Sequence, residues 1–385
     1  MKSQDKNQEM VTEHLPNKTI LLGCYEVPGW GGASTSSYKL FELMRNDGID
    51  VTFLNIIAEN DADYFRYLFG EQIGNPKKLD GVHNCFLGGD TFRLQPELEK
   101  LIDKIDPDII VGIGWIASVL MKRETPDRKL IYVTTGCDQV SRYIKRKEWD
   151  DFILLNNYLT ISGNHLGSTS DMEKETVKTA DLIIAHSDMV LLLYRHFFDS
   201  QTGKISPQVI WFADWIYKDA LDYASLQRPF HNREIDIVFI ASSWSRPEKN
   251  YKLVREIISG LKGLNIHILG EVEEKDSRAT YHNLITNREE LFSLLGNSKT
   301  IVSPSLFDAA PGVLFEAAAM RCNVIASKNC GNWMLCNQEL LVDPFTLDTF
   351  LDKIHRSLNK KYEDNISYFL QTNSYKNLVE TILLF

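Results

Sequence analysis

The sequence has 385 residues, of which 44% are hydrophobic and 24% are charged, a balance that is typical of a soluble globular chain with room for two domains. The formal net charge of −10 would repel a phosphate backbone, so we expect no nucleic-acid partner. The longest apolar run, residues 109–121, is too short to cross a bilayer, and the six cysteines match no common zinc pattern.

Short apolar runs alternate with helical patterns along the chain, which is typical of parallel sheets with crossover helices. Residues 1–17 are polar and mixed in charge, and we predict that they form a disordered arm. A helix is predicted from residue 36 to residue 46, ending near Gly48. In the first half, strands are predicted at 18–25, 51–56, 109–113, 129–135, 181–187 and 208–212.

A second series of the same kind follows residues 226–234, which carry proline and charges without periodicity and are predicted to be a linker. Two Rossmann-like domains are therefore predicted, over residues 18–225 and 235–367. Ligands bind beyond the carboxyl ends of the strands in such sheets, so two facing domains would hold substrates in a cleft. In the second domain, strands are predicted at 235–243, 265–271, 299–305 and 323–327, and helices at 249–261, 288–296 and 312–322.

The loop after the first strand, residues 26–40, places three glycines just before a helix. Gly29, Gly31 and Gly32 would let backbone N–H groups approach an anion near the helix N-terminus. A flexible turn between strand and helix would use the same residues, so the pattern alone leaves both interpretations open.

Residues 110–120, IVGIGWIASVL, match a GxGxxA dinucleotide fingerprint. That fingerprint usually follows the first strand of its domain and has an acidic residue about 20 positions later. Here two predicted strands precede it, and the nearest candidate, Asp138, comes 24 residues after Gly114. We interpret the run as small residues packed beside the cleft rather than as a nicotinamide site.

The second domain begins with a predicted strand that ends in small residues and is followed by two cations. In VFIASSWSRPEKNYKLV, residues 238–254, Arg246 and Lys249 come at the start of the next helix. The helix macrodipole disfavours positive charge there by roughly 0.3–1 kcal/mol. The two cations are explained if they bind an anion in the cleft, while a solvated charged loop is the alternative.

A lone glutamate in an alanine-rich helix is the most informative feature. The sequence DAAPGVLFEAAAM, residues 308–320, predicts a loop and then a helix, with Pro311 in its first turn and Gly312 close to a ligand. Glu316 lies four residues after Gly312, on the face of the helix N-terminus. Its carboxylate can accept both hydroxyls of a ribose diol, and Asp308 can reach the same pocket. Alternatively, Glu316 complements the helix dipole and Asp308 caps the turn.

At these residues the sequence resembles the GT-B glycosyltransferases, specifically the large retaining family 4. That family carries an E-x7-E motif in its second domain, and this chain has Asp308 at the first position and Glu316 at the second. Segments 29–54, 179–190 and 242–254 also fall where the family has counterparts. The resemblance implies two Rossmann-like domains facing across a cleft, with residues 368–385 forming a helix that crosses back to the first domain.

The resemblance also implies a role for the residues of the loop and helix. Glu316 would hold the ribose of a sugar nucleotide, and Asp308 would lie by the donor sugar. Backbone amides near Pro311 and Gly312 would contact the hydroxyls of that sugar.

The remaining candidates are assigned in the same way. Lys249, with Arg246, would stabilise the diphosphate as negative charge builds on it during bond breaking. Thr286 and Asn287 would contact the nucleobase. On the first domain, the residues implied are Gly31 and Gly32 at the donor phosphate and the acceptor, and Trp30 and Asp138 on the acceptor side.

The implied activity is a hexosyltransferase reaction with retention of configuration. The donor would be a UDP- or GDP-sugar, and the acceptor a glycan, a lipid-linked molecule or a protein. We expect no cofactor, because the nucleotide sugar is a substrate. We also expect no metal, because Asp61-Ala62-Asp63 follows a polar stretch and is interpreted as a surface loop or helix cap rather than a DxD site.

Three positions differ from the family pattern. Trp244 stands five residues before the lysine, where arginine is usual, Asp308 is shorter than glutamate, and residues 133–139 lack a histidine that is common there. Two other functions therefore stay open: a non-catalytic GT-B subunit that binds an acceptor and assists a partner glycosyltransferase, and a sugar-nucleotide epimerase. We expect a cytoplasmic protein, either free or peripheral at the inner face of the membrane through residues 145–147 and Trp149.

Overall fold

A computed structural model describes residues 18–25, 32–58, 81–87, 96–114, 120, 128–137, 140, 168–207, 209, 214–372 and 374–385. The chain divides into two compact units. The first unit is drawn from residues 1–133, 175–183 and 375–385, and the second unit from residues 134–174 and 184–374. Strands in the described residues form two six-stranded sheets.

The first sheet has the strand order β3-β2-β1-β4-β5-β6. Its strands are β1 (Ile20–Tyr25), β2 (Val51–Ala58), β3 (Val82–Leu87), β4 (Ile109–Ile113), β5 (Lys129–Val133) and β6 (Leu182–Ile184). The pairings of β1 with β2 and β4, of β2 with β3 and of β4 with β5 are parallel. The central strand β4 is buried at all five positions, as expected where helices cover both faces of a parallel sheet.

Helices connect these strands. Among the described residues up to 221, the helices are α1 (Gly32–Asn46), α2 (Pro96–Ile105), α3 (Ser168–Thr179), α4 (Asp188–Phe197) and α5 (Asp214–Leu221). Helix α1 begins four residues before its predicted start, because its serines continue the helix rather than cap it: the Ser37 hydroxyl donates to the Ala33 carbonyl, 2.7 Å away. The helix ends where Gly48 adopts a φ of 78°, which glycine tolerates without strain.

The second sheet has the strand order β12-β11-β10-β7-β8-β9, and all of its pairings are parallel. Its strands are β7 (Ile235–Ser243), β8 (Ile266–Glu271), β9 (Ala279–His282), β10 (Ser298–Ser303), β11 (Asn323–Ser327) and β12 (Leu341–Val342). The chain passes from β7 to β8 and β9 on one side and then returns to β10 on the other. The strand order therefore reverses between β7 and β10, and parallel sheets bind ligands at such a point.

Helices cover both faces of the second sheet and form two apolar clusters with it. The remaining helices are α6 (Tyr251–Gly260), α7 (Arg288–Gly296), α8 (Gly312–Ala319), α9 (Leu347–Asn359), α10 (Ile366–Thr372) and α11 (Tyr375–Leu384). In α8, residues 317–319 are buried alanines, and their small side chains allow the helix backbone to lie close to its neighbours.

Two segments near the predicted domain boundaries have defined contacts. Helix α11 belongs to the first unit, where the Tyr375 hydroxyl donates to Asp47, 2.6 Å away. In the predicted linker, Arg233 is buried and donates to the carbonyls of Ser298, Met320 and Arg321. This arginine anchors the end of the segment in the second unit. The domain and linker boundaries themselves stay predictions.

Most predicted elements are confirmed, and four of them match to the residue, namely the strands at 109–113, 235–243 and 323–327 and the helix at 288–296. The helix predicted at 312–322 ends earlier, at Ala319, and Arg321 follows with a left-handed φ of 54°. The strand predicted at 208–212 lies outside the described residues except for Val209.

Three strands, β3, β9 and β12, were not predicted. Each lies at the edge of its sheet, and β9 has no fully buried position. Edge strands bury less apolar surface, so the periodicity that reveals a central strand is weak in them. Strand β12 has only two residues, too few for any pattern.

Candidate functional site

The candidate site lies in the second unit at the carboxyl ends of β7 and β10, where the strand order reverses. The loop after β7 carries Arg246 and Lys249, and the loop after β10 carries Asp308 and leads into α8. A backbone hydrogen bond of 2.8 Å from Leu306 to the carbonyl of Glu248 ties the two loops together.

The loop after β7 is pinned by Asn250. This residue adopts a left-handed φ of 62° at the end of a short 3-10 turn, Pro247–Lys249. Its side-chain amide donates to the carbonyls of Pro304 and Pro344, each 3.0 Å away. Among non-glycine residues, asparagine and aspartate adopt this backbone conformation most often. The two amide hydrogen bonds compensate for its strain and also fix the position of Lys249, the preceding residue.

Trp244 occupies the position at which the family usually has arginine, and it is a core residue. It is 5% exposed, its indole N–H donates to the Leu269 carbonyl at 2.9 Å, and its ring lies 5.6 Å from that of Tyr251. The Trp244 side chain is thus satisfied within the apolar cluster beside α6.

Arg246 is held by a neighbouring carboxylate. Its Nε and Nη2 both donate to Oε1 of Glu248, at 2.9 and 2.7 Å. Half of the Arg246 side chain is exposed, whereas that of Glu248 is almost fully buried. Among the described residues, the second carboxylate oxygen of Glu248 is buried without a hydrogen-bond partner, a costly arrangement, and Arg246 compensates the charge of Glu248.

Lys249 and Asp308 form an ion pair. The ammonium group donates to Oδ2 of Asp308, and about 15% of each side chain is exposed. The backbone of Asp308 is fixed by the loop after β11, because its N–H donates to Asn329 at 3.1 Å and its carbonyl accepts from Gly331 at 2.7 Å. The structure therefore brings together two residues that are 59 positions apart.

His186 also belongs to this neighbourhood, and the sequence analysis missed it. It is buried at the end of β6, and its Nδ1 lies 3.1 Å from the Thr134 hydroxyl. Burial lowers its pKa to about 4, although the charge of Asp308 acts in the opposite direction. His186 is thus neutral at pH 7. A histidine directly after a strand, in DLIIAHS, was the signal that could have identified it.

Gly331 brings the segment that follows His186 close to the Asp308 loop. A Cβ at Gly331 would overlap the carbonyl oxygen of Ala309 and come within 2.6 Å of the Ser187 hydroxyl. Ser187 is itself fixed as the N-cap of α4, where it accepts from Val190. Any residue larger than glycine would therefore push these two segments apart.

Helix α8 begins at residue 312, as predicted, but the predicted place of Pro311 in its first turn is wrong. Pro311 is its N-cap rather than part of its first turn, and Gly312 is its first residue. The Pro311 carbonyl accepts from the side-chain amide of buried Asn332 at 3.0 Å. The first N–H groups of a helix have no partner within it, so this N-terminus can donate to an anion.

Glu316 is bonded to an arginine that the sequence analysis did not single out. Its Oε1 accepts from Nη1 of Arg288 at 2.7 Å, and only 14% of the Glu316 side chain is exposed. Arg288 also donates from Nη2 to Asp219 of α5. Burial raises the pKa of Glu316, Arg288 lowers it, and the nearby charge of Asp219 raises it again, so the net result lies above the usual value.

Three other predicted residues, Thr286, Asn287 and Gly32, are described by the structure, and the rest fall outside the described ranges. Thr286 and Asn287 are exposed before α7, and Asn287 caps that helix by accepting from Glu290 at 3.1 Å. Gly32 is the exposed first residue of α1 in the first unit. Residues 30, 31 and 138 lie outside the described residues.

The described ranges also bear on other functions. No group of three or more histidine, cysteine, aspartate or glutamate residues there could hold a metal ion, while residues 61–63 fall outside those ranges. In the same part of the chain, no helix is long and apolar enough to cross a membrane. Burial raises the pKa of the Cys330 thiol, next to Asp308, to about 12, so this cysteine is protonated and not a nucleophile.

Comparisons with known proteins support a glycosyltransferase. The family model for glycosyl transferases group 1 matches residues 234–360, which contain β7 to α9 and, among the site residues, Arg246, Lys249, Arg288, Asp308 and Glu316. No curated protein sequence matches the chain.

Solved structures share the fold over nearly the whole chain. Sucrose-phosphate synthase from Thermosynechococcus elongatus has a TM-score of 0.63 at 15% identity, covering 95% of this chain and 97% of its own. HepE from Anabaena, solved with UDP and glucose, has a TM-score of 0.62 at 13% identity, covering 96% and 100%. UDP-GlcNAc 2-epimerase from Methanocaldococcus jannaschii has a TM-score of 0.54 at 14% identity, covering 95% and 100%. The prediction of two Rossmann-like domains in a GT-B fold is confirmed.

Proposed function

We propose that this chain, whose residues 234–360 match the glycosyl transferases group 1 family, transfers a hexose from a nucleotide sugar with retention of configuration and without a metal ion. The observation that carries this proposal is the Lys249–Asp308 pair at the point of strand reversal. There a cation and a carboxylate stand beside a helix N-terminus, at the position where parallel sheets bind ligands.

The donor would bind along the loop and helix that follow β10. Glu316 would accept hydrogen bonds from the ribose hydroxyls, and the exposed residues Thr286 and Asn287 would contact the base. The N-terminus of α8, beginning at Gly312, would donate to the diphosphate or to the sugar hydroxyls. Asp308 would keep the Lys249 ammonium in place beside the donor sugar.

Catalysis in this proposal is electrostatic. The bond between the anomeric carbon and the diphosphate oxygen breaks, and its electron pair remains on the diphosphate. Lys249, Arg246 and the α8 N-terminus stabilise that charge through groups that are already positioned before the reaction. The acceptor hydroxyl attacks the anomeric carbon from the face of the departing diphosphate, which takes the hydroxyl proton, so configuration is retained.

Arg246 would supply the second cation that Trp244 cannot. Its guanidinium is half exposed and has donors beyond the two that bind Glu248. The buried Glu248 accepts two hydrogen bonds from this guanidinium, so a diphosphate would meet a positioned group rather than a flexible one. The side chain then loses less conformational entropy when the diphosphate binds.

The test is a thermal-shift panel of UDP-, GDP-, ADP- and dTDP-sugars, with and without EDTA. A ligand at about 100 times its dissociation constant stabilises by roughly 2.7 kcal/mol, which is an easily measured shift. The best donor is then incubated with glycan, lipid-linked and protein acceptors, and the anomeric configuration of the product is read by NMR. We expect one clear donor, nucleoside diphosphate release and a retained anomer.

The alternatives give different results in the same assay. A non-catalytic subunit would bind a donor or an acceptor without turnover, and an epimerase would interconvert nucleotide sugars with no acceptor present. An inverted anomer would overturn the retaining mechanism while leaving sugar transfer intact.

A further inference from the structure

Arg288 joins three helices of the second unit through two carboxylates. It is the first residue of α7, and it donates to Glu316 of α8 from Nη1 at 2.7 Å and to Asp219 of α5 from Nη2. A guanidinium that spans two carboxylates fixes both of them in direction as well as in distance. Glu316 is therefore not a freely rotating side chain.

The Arg288 guanidinium also packs against an aromatic ring. Its central carbon lies 4.5 Å from the ring centroid of Phe292, one turn further along α7. Phe292 is fully buried and stacks on Tyr223, with centroids 4.7 Å apart and an angle of 25° between the rings. Cation–π contact of this kind adds stability when the cation is partly desolvated, so the position of Arg288 is determined on three sides.

The placement of Arg288 is unfavourable in the isolated helix. A positive charge at a helix N-terminus opposes the macrodipole, and α7 already carries Glu289 and Glu290 in its first turn. Arg288 is stable there because Glu316 and Asp219 face it. Burial would otherwise favour the neutral acid at Glu316, and the arginine counteracts this by lowering the pKa of that carboxyl group.

We propose that Arg288 is a positioning residue for the donor: it fixes the Glu316 carboxylate by Oε1 and leaves Oε2 to accept the ribose hydroxyls. Within the described residues, Oε1 is the only oxygen of Glu316 that is hydrogen-bonded. This inference rests on the proposed function, in which Glu316 binds ribose. In this proposal Arg288, which lies outside the loop and helix at 308–316, sets the orientation of the Glu316 carboxylate and favours its charged form.

A purely structural bridge would have a different signature. If Arg288 only held three helices together, its loss would weaken the binding of every nucleotide equally. If Arg288 positions Glu316 for the ribose, its loss would weaken the binding of ribonucleotides and leave the binding of the 2′-deoxy forms almost unchanged. The ratio of the two dissociation constants therefore separates the roles.

The experiment measures this ratio by isothermal titration calorimetry. The probe is whichever of UDP, GDP or ADP the wild-type protein binds most tightly, together with its 2′-deoxy counterpart. One hydrogen bond to a charged acceptor corresponds to roughly a 10- to 100-fold preference for the ribose form. At pH 7 we expect that preference in the wild-type protein and a ratio within about twofold of one in Arg288→Gln.

Two further variants control the result. Asp219→Asn keeps a hydrogen-bond acceptor for Arg288 and leaves its contact with Glu316, so we expect the ribose preference to persist. Arg288→Lys keeps the positive charge but cannot donate to both carboxylates from a planar guanidinium, so we expect a ratio of dissociation constants between those of the wild-type protein and Arg288→Gln. If Arg288→Gln does not fold, as judged by thermal unfolding, Arg288→Lys carries the test.

A pH series adds a second readout. Without the arginine, the pKa of Glu316 rises further, so the ribose preference of Arg288→Gln should increase with pH, by at most about tenfold per pH unit. The wild-type ratio should change less over the same range. An unchanged ratio in Arg288→Gln would overturn the inference and leave the proposed function standing. Failure of the wild-type protein to bind any nucleoside diphosphate, dTDP included, would instead overturn the proposed function.

Discussion

Glu316 places a charge in a helix whose other buried residues are leucine, phenylalanine and alanine. A carboxylate with 14% of its surface exposed costs free energy that Arg288 only partly offsets, since the pKa of Glu316 remains above its usual value. Residues that remain charged in such places are often functional. Lys249 and Asp308 are two further ionisable side chains with about 15% of their surface exposed, and they lie close together in the candidate site.

We expect Glu316→Ala to weaken donor binding by roughly 10- to 100-fold while changing the melting temperature little. The variant loses the proposed ribose acceptor, but it also removes a poorly solvated charge, and Arg288 keeps Asp219 as a partner. Calorimetry and thermal unfolding measure the two effects. Glu289→Ala, at an exposed position of α7, is the matched control. Equal losses of affinity and stability would return Glu316 to a structural role.

Lys249→Ala should lower kcat by roughly 100-fold or more, because a preorganised donor to the developing charge is lost. It should also destabilise the fold, since Asp308 is left without its cation. Adding Asp308→Asn should restore much of the stability but not the activity. Steady-state kinetics with urea unfolding distinguishes these effects, with exposed Lys252→Ala as control. Recovery of activity in the double variant would contradict the assigned role.

Trp244→Arg should destabilise the protein by roughly 3 kcal/mol or more without raising activity. The indole fills the cluster beside α6 and donates to Leu269, and an arginine there would leave a cavity or an unpaired buried charge. Urea unfolding and donor turnover measure the outcome. A more active variant would show that this position faces the substrate.

At the scale of elements, the site depends on how the loops after β7, β10 and β11 fit together. Asn250 fixes the first of these loops to the second through Pro304, and Asp308 fixes the second to the third through residues 329 and 331. The distances between Lys249, Asp308 and their neighbours therefore depend on contacts between loops, one made by the Asn250 side chain and the others by backbone groups.

Gly331→Ala tests this dependence. The added methyl group would overlap the Ala309 carbonyl, so the loop must shift and move Asp308 with it. We expect a loss of roughly 1–3 kcal/mol in the free energy of unfolding and a fall in activity. Gly203→Ala, where an added Cβ meets no atom within 4 Å, should leave both unchanged. Wild-type activity in Gly331→Ala would show that the loop can relax without consequence.

At the scale of the whole molecule, stability should depend on pH through His186. Its folded pKa of about 4 lies below the usual 6.5, so between those values the unfolded chain binds more protons than the folded one. The contribution of His186 to the free energy of unfolding is therefore fully present above pH 6.5 and decreases as the pH falls from 6.5 towards 4. Glu316, with a raised pKa, acts in the opposite direction, because the folded protein retains its proton longer.

We expect the wild-type protein to lose about 2 kcal/mol from His186 between pH 7 and pH 5. His186→Gln should be less stable at pH 7 but should lose less on acidification. Urea unfolding at both pH values measures the difference. The same acid loss in both proteins would show that His186 does not govern it.

Chelation tests the mechanism at the same scale. Excess EDTA should leave donor turnover unchanged, because Lys249, Arg246 and the α8 N-terminus stabilise the leaving group in the proposed mechanism. Activity is measured by nucleoside diphosphate release, before and after dialysis against EDTA. Loss of activity that added Mg²⁺ or Mn²⁺ restores would overturn metal independence.

Much of the fold could be predicted because central parallel strands bury both faces and therefore appear as continuous apolar runs. Strands β4, β7 and β11 were found to the residue for this reason. The edge strands β3, β9 and β12 were not, since their partial exposure weakens the pattern. The loop and helix at 308–316 could also be found, because a proline, a glycine and a lone glutamate in an apolar context are informative within one short segment.

The sequence by itself determined the fold class, the order of elements and the residues that share a loop or a helix face. These features depend on local spacing and on burial, which the order of residues encodes directly. Only the tertiary structure decided that Arg288 and Asp219 face Glu316, that Lys249 pairs with Asp308, that Arg246 is held by Glu248, and that Trp244 belongs to the core. Such partners lie on different elements, and their distances and pKa values depend on how those elements pack rather than on their separation along the chain.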